Sequence, residues 1–197
     1  MFSIFYTILF LSAFLRVIPA LELNILKAAC PEDKDFCAQK AFQGECFGGE
    51  LPAKVLRKEC PCSCENAFNA RIQNCCLAVG PVDTRFCLPL CLYNITAQEL
   101  SSTLAFRCAS QLPVWIYCLA DGQDSTECCQ AKEIPARCHQ FCSARLLSCE
   151  WDEEDRLDEC LLYMDQIINC HKDNLSPRAK FDQSWRSTCP NFSYQEN

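Results

Sequence analysis

Glycine and histidine are scarce in this chain. Five glycines among 197 residues form no G-x-G-x-x-G and no G-x-x-x-x-G-K-[ST] run, so the sequence holds neither a dinucleotide-binding fingerprint nor a P-loop. His139 and His171 are the only two imidazoles available for acid–base or metal work. A basic surplus is missing as well. Eighteen Lys and Arg stand against 25 Asp and Glu, a net charge of −7, which argues against nucleic acid and against electrostatic docking on an anionic membrane. Past residue 20 the longest apolar stretch, LPVWIYCLA from Leu112 to Ala120, is far shorter than the roughly 20 residues needed to cross a bilayer. No G-x-S-x-G occurs, which removes a nucleophile elbow.

Cysteine is abundant: 20 residues, about a tenth of the chain, the range of disulfide scaffolds. The first 20 residues, MFSIFYTILFLSAFLRVIPA, are apolar from Phe2 to Leu15 and end on Pro19 and the small Ala20. This pattern predicts a secretory signal peptide over 1–20, with a mature chain that starts near Leu21 and contains every cysteine. An even cysteine count in an oxidising compartment predicts up to ten bridges. No C-x2-C pair exists, so a zinc cluster is not expected, and no cofactor is implied. Asn94-Ile-Thr96, Asn174-Leu-Ser176 and Asn191-Phe-Ser193 are N-glycosylation sequons, the second weakened by Pro177.

The cysteines repeat their spacing. Cys75, Cys76, Cys87, Cys91, Cys108 and Cys118 are followed by Cys128, Cys129, Cys138, Cys142, Cys160 and Cys170, at offsets of 51 to 53 residues. Both runs read C-C, a gap, C-x3-C, a long gap, C-x9-C. This predicts two tandem repeats of about 52 residues, over 68–118 and 121–170. Neighbouring cysteines that bridged each other would close a strained ring, so each member of a vicinal pair is expected to reach a different partner, in the same pattern in both repeats. Six further cysteines lie upstream, Cys30, Cys37, Cys46, Cys60, Cys62 and Cys64. Cys149 and Cys189 remain, and a bridge between them is the simplest closure.

The periodicity is helical. Phe68, Ile72 and Cys75 recur at four and three, as do Leu157, Cys160, Leu161, Met164, Ile167 and Ile168. C-x3-C sets two cysteines on one helical face, and Pro135 suits the start of such a helix through Cys138 and Cys142. Thr96 and Glu99 form a capping-box pattern, and Pro113 should break a helix that passes through it. Strand-like alternation is scarce. The fold class is therefore all-α, a small disulfide-rich helical module. The acidic run Glu150-Trp-Asp-Glu-Glu-Asp155 reads as a helix start rather than a calcium loop. Trp115, Tyr117 and Trp151 read as core, and both histidines, outside the repeated framework, as partly exposed surface groups.

The stretches Asn74-Cys-Cys76, Phe86-Cys-Leu-Pro-Leu-Cys91, Cys118 to Cys129 (CLADGQDSTECC), Ile134 to Cys142 (IPARCHQFC) and Cys160 to Cys170 (CLLYMDQIINC) resemble the DB module, a cysteine-rich extracellular domain abundant in nematode proteins. The resemblance covers 67–178, between an N-terminal extension over 21–66 and a tail over 179–197. Gly44-Glu-Cys46 and Cys60-Pro-Cys-Ser-Cys64 resemble stretches of ShK-toxin-like domains, but no tyrosine lies between Cys30 and Cys64 to supply the Lys-Tyr pair of the channel blockers. The DB resemblance implies a secreted module without catalytic residues that binds extracellular proteins, including cell-surface receptors. A small-ligand or lipid carrier is the alternative, since stapled helices can enclose an apolar cavity. Secreted phospholipase A2 is excluded, because Lys132 and Glu133 stand where C-C-x-x-H-D requires His and Asp.

Overall fold

A computed structural model describes residues 24–80, 84–102, 107–144 and 159–187. The described residues are helical, with no strand among them. Six helices build the frame: α1 (Cys37–Phe42), α2 (Leu51–Glu59), α3 (Pro61–Val79), α4 (Leu112–Leu119), α5 (Thr126–Ala131) and α6 (Met164–Asn174).

The corner between α2 and α3 is set by two residues. Cys60 precedes a proline, which bars it from the helical region, and it sits at φ −128, ψ 55. Pro61 then opens α3 at the position where its missing N–H costs nothing. The free amides of Cys62 and Ser63 donate to the carboxylate of Asp33, at 3.4 and 2.7 Å, so a side chain about 30 residues upstream caps this helix. The helix runs unbroken through residue 66. Its buried face carries Cys64, Phe68, Ile72, Cys75, Cys76 and Val79, the three-and-four rhythm of the sequence.

Pro113 does what its chemistry requires. A 3-10 turn over Ala109–Gln111 ends there, and a new helix, α4, starts with the proline in its first turn. Every residue of α4 from Pro113 to Leu119 is buried, so this helix is apolar all round and forms the centre of the core. It packs across α3, while α1 and α2 also pack on α3 and α5 lies against α6. Trp115 and Tyr117 are core residues, as their size suggested; Trp151 and the acidic run lie outside the described residues. The hydroxyl of the buried Tyr93 donates to the Leu119 carbonyl at 2.7 Å, and burial holds its pKa well above 10. The capping box closes in both directions between Thr96 and Glu99.

Nine bridges join cysteines among the described residues. In the first six-cysteine run they are Cys75–Cys118, Cys76–Cys91 and Cys87–Cys108. In the second they are Cys128–Cys170, Cys129–Cys142 and Cys138–Cys160. Both runs join first to sixth, second to fourth and third to fifth, and each vicinal cysteine takes its own partner. The surrounding structure is not the same in the two: a 19-residue helix delivers the first vicinal pair, a 6-residue helix the second. Upstream, Cys30–Cys62, Cys37–Cys60 and Cys46–Cys64 lash α1 and its flanking segments to the α2–α3 corner. Cys149 and Cys189, and with them the tenth bridge expected from the sequence, lie outside the described residues.

Two sequence expectations are corrected. The segment with Cys138 and Cys142 is not α-helical: Ala136–Phe141 forms a 3-10 helix entered from Pro135. The cause is the diverging bridges, which pull Cys142 toward Cys129 and Cys138 toward Cys160; a tight turn reaches both more readily than a full helical face. His171 is not a surface group. It is 1% exposed, enclosed where α6 meets that 3-10 turn, because it lies four and three residues past Ile167 and Ile168 on the buried face of α6. His139 is half-buried, with Nε2 at 2.8 Å from the Ile134 carbonyl.

A candidate interaction surface

The seam between the N-terminal segment and the rest of the molecule is where its charged side chains converge. Arg57 of α2 donates to Asp173 of α6 at 2.6 Å and to the Gly48 carbonyl at 3.0 Å. Lys172 reaches Glu65 of α3 at 2.9 Å. Between these pairs lies Phe68, with Lys172 Nζ 5.1 Å and the Arg57 guanidinium 5.9 Å from its ring centre, and Phe47 packed edge-on at 5.3 Å. The loop before α2 can lie this close to the chain after α6 only because it lacks side chains there. Gly44 sits at φ +81, and a Cβ on it would come within 3.1 Å of the Pro177 carbonyl.

This seam shapes an open groove of about 1060 Å³. Ala53, Leu56 and Leu175 form its buried floor. Leu51 and Val55, one turn apart on α2, stand along it at 74% and 46% exposed, and Phe36 lines it as well at 40%. Three of the large exposed apolar side chains therefore share one concavity, an arrangement typical of a contact surface rather than of scattered surface leucines. A second concavity, near Lys27, Asp33 and Ser63, measures about 60 Å³ and is mostly polar.

Both histidines are engaged with a backbone carbonyl. His171 Nε2 is 2.8 Å from the Phe141 carbonyl, and burial pushes its pKa down to about 4. No group of three or more His, Cys, Asp or Glu among the described residues is arranged to hold a metal ion. Helices long and apolar enough to cross a membrane are likewise absent among them.

The sequons separate by geometry. Asn94 is exposed; its Oδ1 accepts from Asn69 Nδ2 at 3.2 Å. Asn174 is exposed too, but its Nδ2 is engaged: it donates to the Asp124 carbonyl at 3.0 Å and to Ser125 Oγ at 3.1 Å. A glycan attaches through that same nitrogen and replaces one of its two hydrogens, so it would break one of these bonds. We expect a glycan on Asn94 and none on Asn174. Peptide mapping of secreted protein before and after enzymatic deglycosylation checks this, and an occupied Asn174 contradicts it. Asn191 lies outside the described residues.

The cysteines are legible in the sequence, and the groove is not. Its walls come from residues 36–59 and 173–177, and no local pattern links those two stretches. Residues 75–171 match the family model described as DB module. No curated protein and no solved structure matches the chain.

Proposed function

We propose that this chain, of which residues 75–171 belong to the DB module family, is a secreted, non-enzymatic binding protein that docks other extracellular proteins, cell-surface receptors among them, through the α1–α2 groove. Nine bridges and the family match fit a cysteine-rich extracellular domain. The observation that carries the reading is the groove itself, with Leu51, Val55 and Phe36 presented on a frame that three bridges hold rigid. Rigid presentation lowers the ordering cost of binding. An open groove suits a protein partner better than a lipid or small ligand, which is normally enclosed over most of its surface.

The test is a binding screen of the oxidised, mature protein against extracellular ectodomains. Leu51→Glu and Val55→Glu should each weaken the partner found by about tenfold or more, since each removes an apolar contact of about 1.5–3 kcal/mol. Both positions are exposed, so thermal stability should change little. A screen with no saturable partner removes the proposal. A lipid that co-purifies with the protein in native mass spectrometry points to the carrier reading instead.

A further inference from the structure

A second surface lies on the module itself, and it is already occupied. It begins at the end of α4, where Asp121 and Gly122 both take positive φ, at +50 and +70, and swing the chain back. That turn points the Asp121 carboxylate inward, where the residue has no exposed surface. Arg71 of α3, its side chain 9% exposed, meets it at 3.1 Å. The guanidinium of Arg71 lies over the Phe47 ring, 4.4 Å from its centre, so its position is held from a second side. Tyr117, one turn earlier on α4, stands alongside with its hydroxyl toward the same place.

The chain after α6 runs through this cleft, held largely by its backbone. Arg71 donates to the carbonyls of Ser176 and Pro177, at 3.3 and 2.9 Å. Asp121 accepts the Lys180 amide at 3.0 Å, with the Phe181 amide beside it. The Asp182 amide donates to the Tyr117 hydroxyl at 2.7 Å. Two side chains complete the fit: Phe181 packs against the core, and Trp185 stacks on the Tyr117 ring, planes 5° apart and centres 4.1 Å apart. A Cβ on Gly122 would come within 3.3 Å of Phe181 Cα, so glycine lets the strap lie flat. The strap itself is lightly buried. Arg178, Ala179, Lys180, Asp182, Gln183 and Ser184 are all exposed. Segments with few buried contacts open at low free energy.

We propose that Arg71, Asp121 and Tyr117 form a peptide-docking cleft whose resident occupant is the chain's own 176–185 segment. The same cleft accepts a segment of another extracellular protein that offers free main-chain amides and carbonyls and an aromatic residue three positions after the amide that Tyr117 receives. Because backbone groups carry most of the polar recognition, the aromatic residue is the main sequence requirement. This deepens the protein-binding reading and rests on it for its biological meaning.

The experiment uses the full oxidised chain and a fluorescently labelled peptide with the sequence of residues 176–187. In the wild-type protein the tethered segment competes with the peptide at high effective concentration. Trp185→Ala in the protein weakens that competitor and should tighten peptide binding at least tenfold. Tyr117→Phe or Asp121→Asn added to Trp185→Ala should lower it again by a similar factor, as should replacing the peptide's own tryptophan by alanine. Tyr117→Phe removes a single hydroxyl and keeps the test valid if Asp121→Asn disturbs folding. Absence of peptide binding to the Trp185→Ala protein overturns the cleft, as does binding that is indifferent to Tyr117→Phe and to the peptide's tryptophan. That result leaves the ectodomain screen unaffected, and an empty screen does not alter the peptide measurement.

Discussion

Replacing Cys75 and Cys118 together by alanine is expected to lower the unfolding free energy by about 4 kcal/mol. The bridge joins residues 43 apart in the chain, and the chain-entropy cost of leaving such a loop open in the unfolded state is of that order. Both sulfurs are completely buried between α3 and α4, so the truncation also leaves unfilled space in the densest part of the core. Cys128–Cys170 closes a loop of nearly the same length, 42 residues, and its double alanine variant should lose a similar amount. Denaturant unfolding of the secreted, oxidised variants measures both. A loss below about 1 kcal/mol for either would show that apolar packing, not the bridges, carries the stability of this chain. Total stabilities of about 5–15 kcal/mol leave little room for two such losses, and a variant lacking both bridges is expected not to fold at body temperature.

Acidification should cost nearly as much through a single side chain. An unfolded histidine takes up a proton near pH 6.5, whereas His171 in the fold stays neutral down to about pH 4 because burial disfavours the imidazolium. Between those values the unfolded chain binds more protons than the folded one. Stability present above pH 6.5 is therefore lost as the pH falls toward 4, by about 3 kcal/mol in all. The groups that face the ring are few. Among the described residues the Phe141 carbonyl bonds Nε2, the charge of Asp124 opposes the loss, and Nδ1 has no hydrogen-bond partner. Unfolding free energies at pH 7, 6, 5 and 4 test this against a His171→Gln variant, which cannot titrate. The wild-type curve should fall relative to the variant across that window, and parallel curves would disprove the assignment.

How far the sequence could be read is clear from particular residues. Phe68, Ile72 and Cys75 announce the buried face of α3, but its first turn, with Cys62 and Cys64, falls inside the stretch that the sequence sets apart as an N-terminal extension over 21–66. Only Asp33, folded back onto the helix start, shows why that turn forms. Pro113 and the Thr96–Glu99 pair acted as their local chemistry dictates. Pro135 did not open the α-helix that the four-residue spacing of Cys138 and Cys142 suggested, because their two partners lie in different directions. His171 continues the three-and-four rhythm of Met164, Ile167 and Ile168, so the periodicity did place it on the buried face of α6, and only its polar character suggested a surface position.

The sequence by itself determined the cysteine count, the twofold spacing, the separate partners of the vicinal pairs and the helical class. Each depends on covalent chemistry or on neighbours within a turn or two, whose energetics travel with the chain. Tertiary structure alone decided that Leu51 and Leu175 line one groove, that Arg71 meets Asp121, and that residues 176–185 lie across Tyr117. Those residues are 50 to more than 100 positions apart, and no periodicity spans such distances. They came together because burying a shared apolar core leaves each helix few orientations, and the polar groups that remained had to find partners wherever that packing left them.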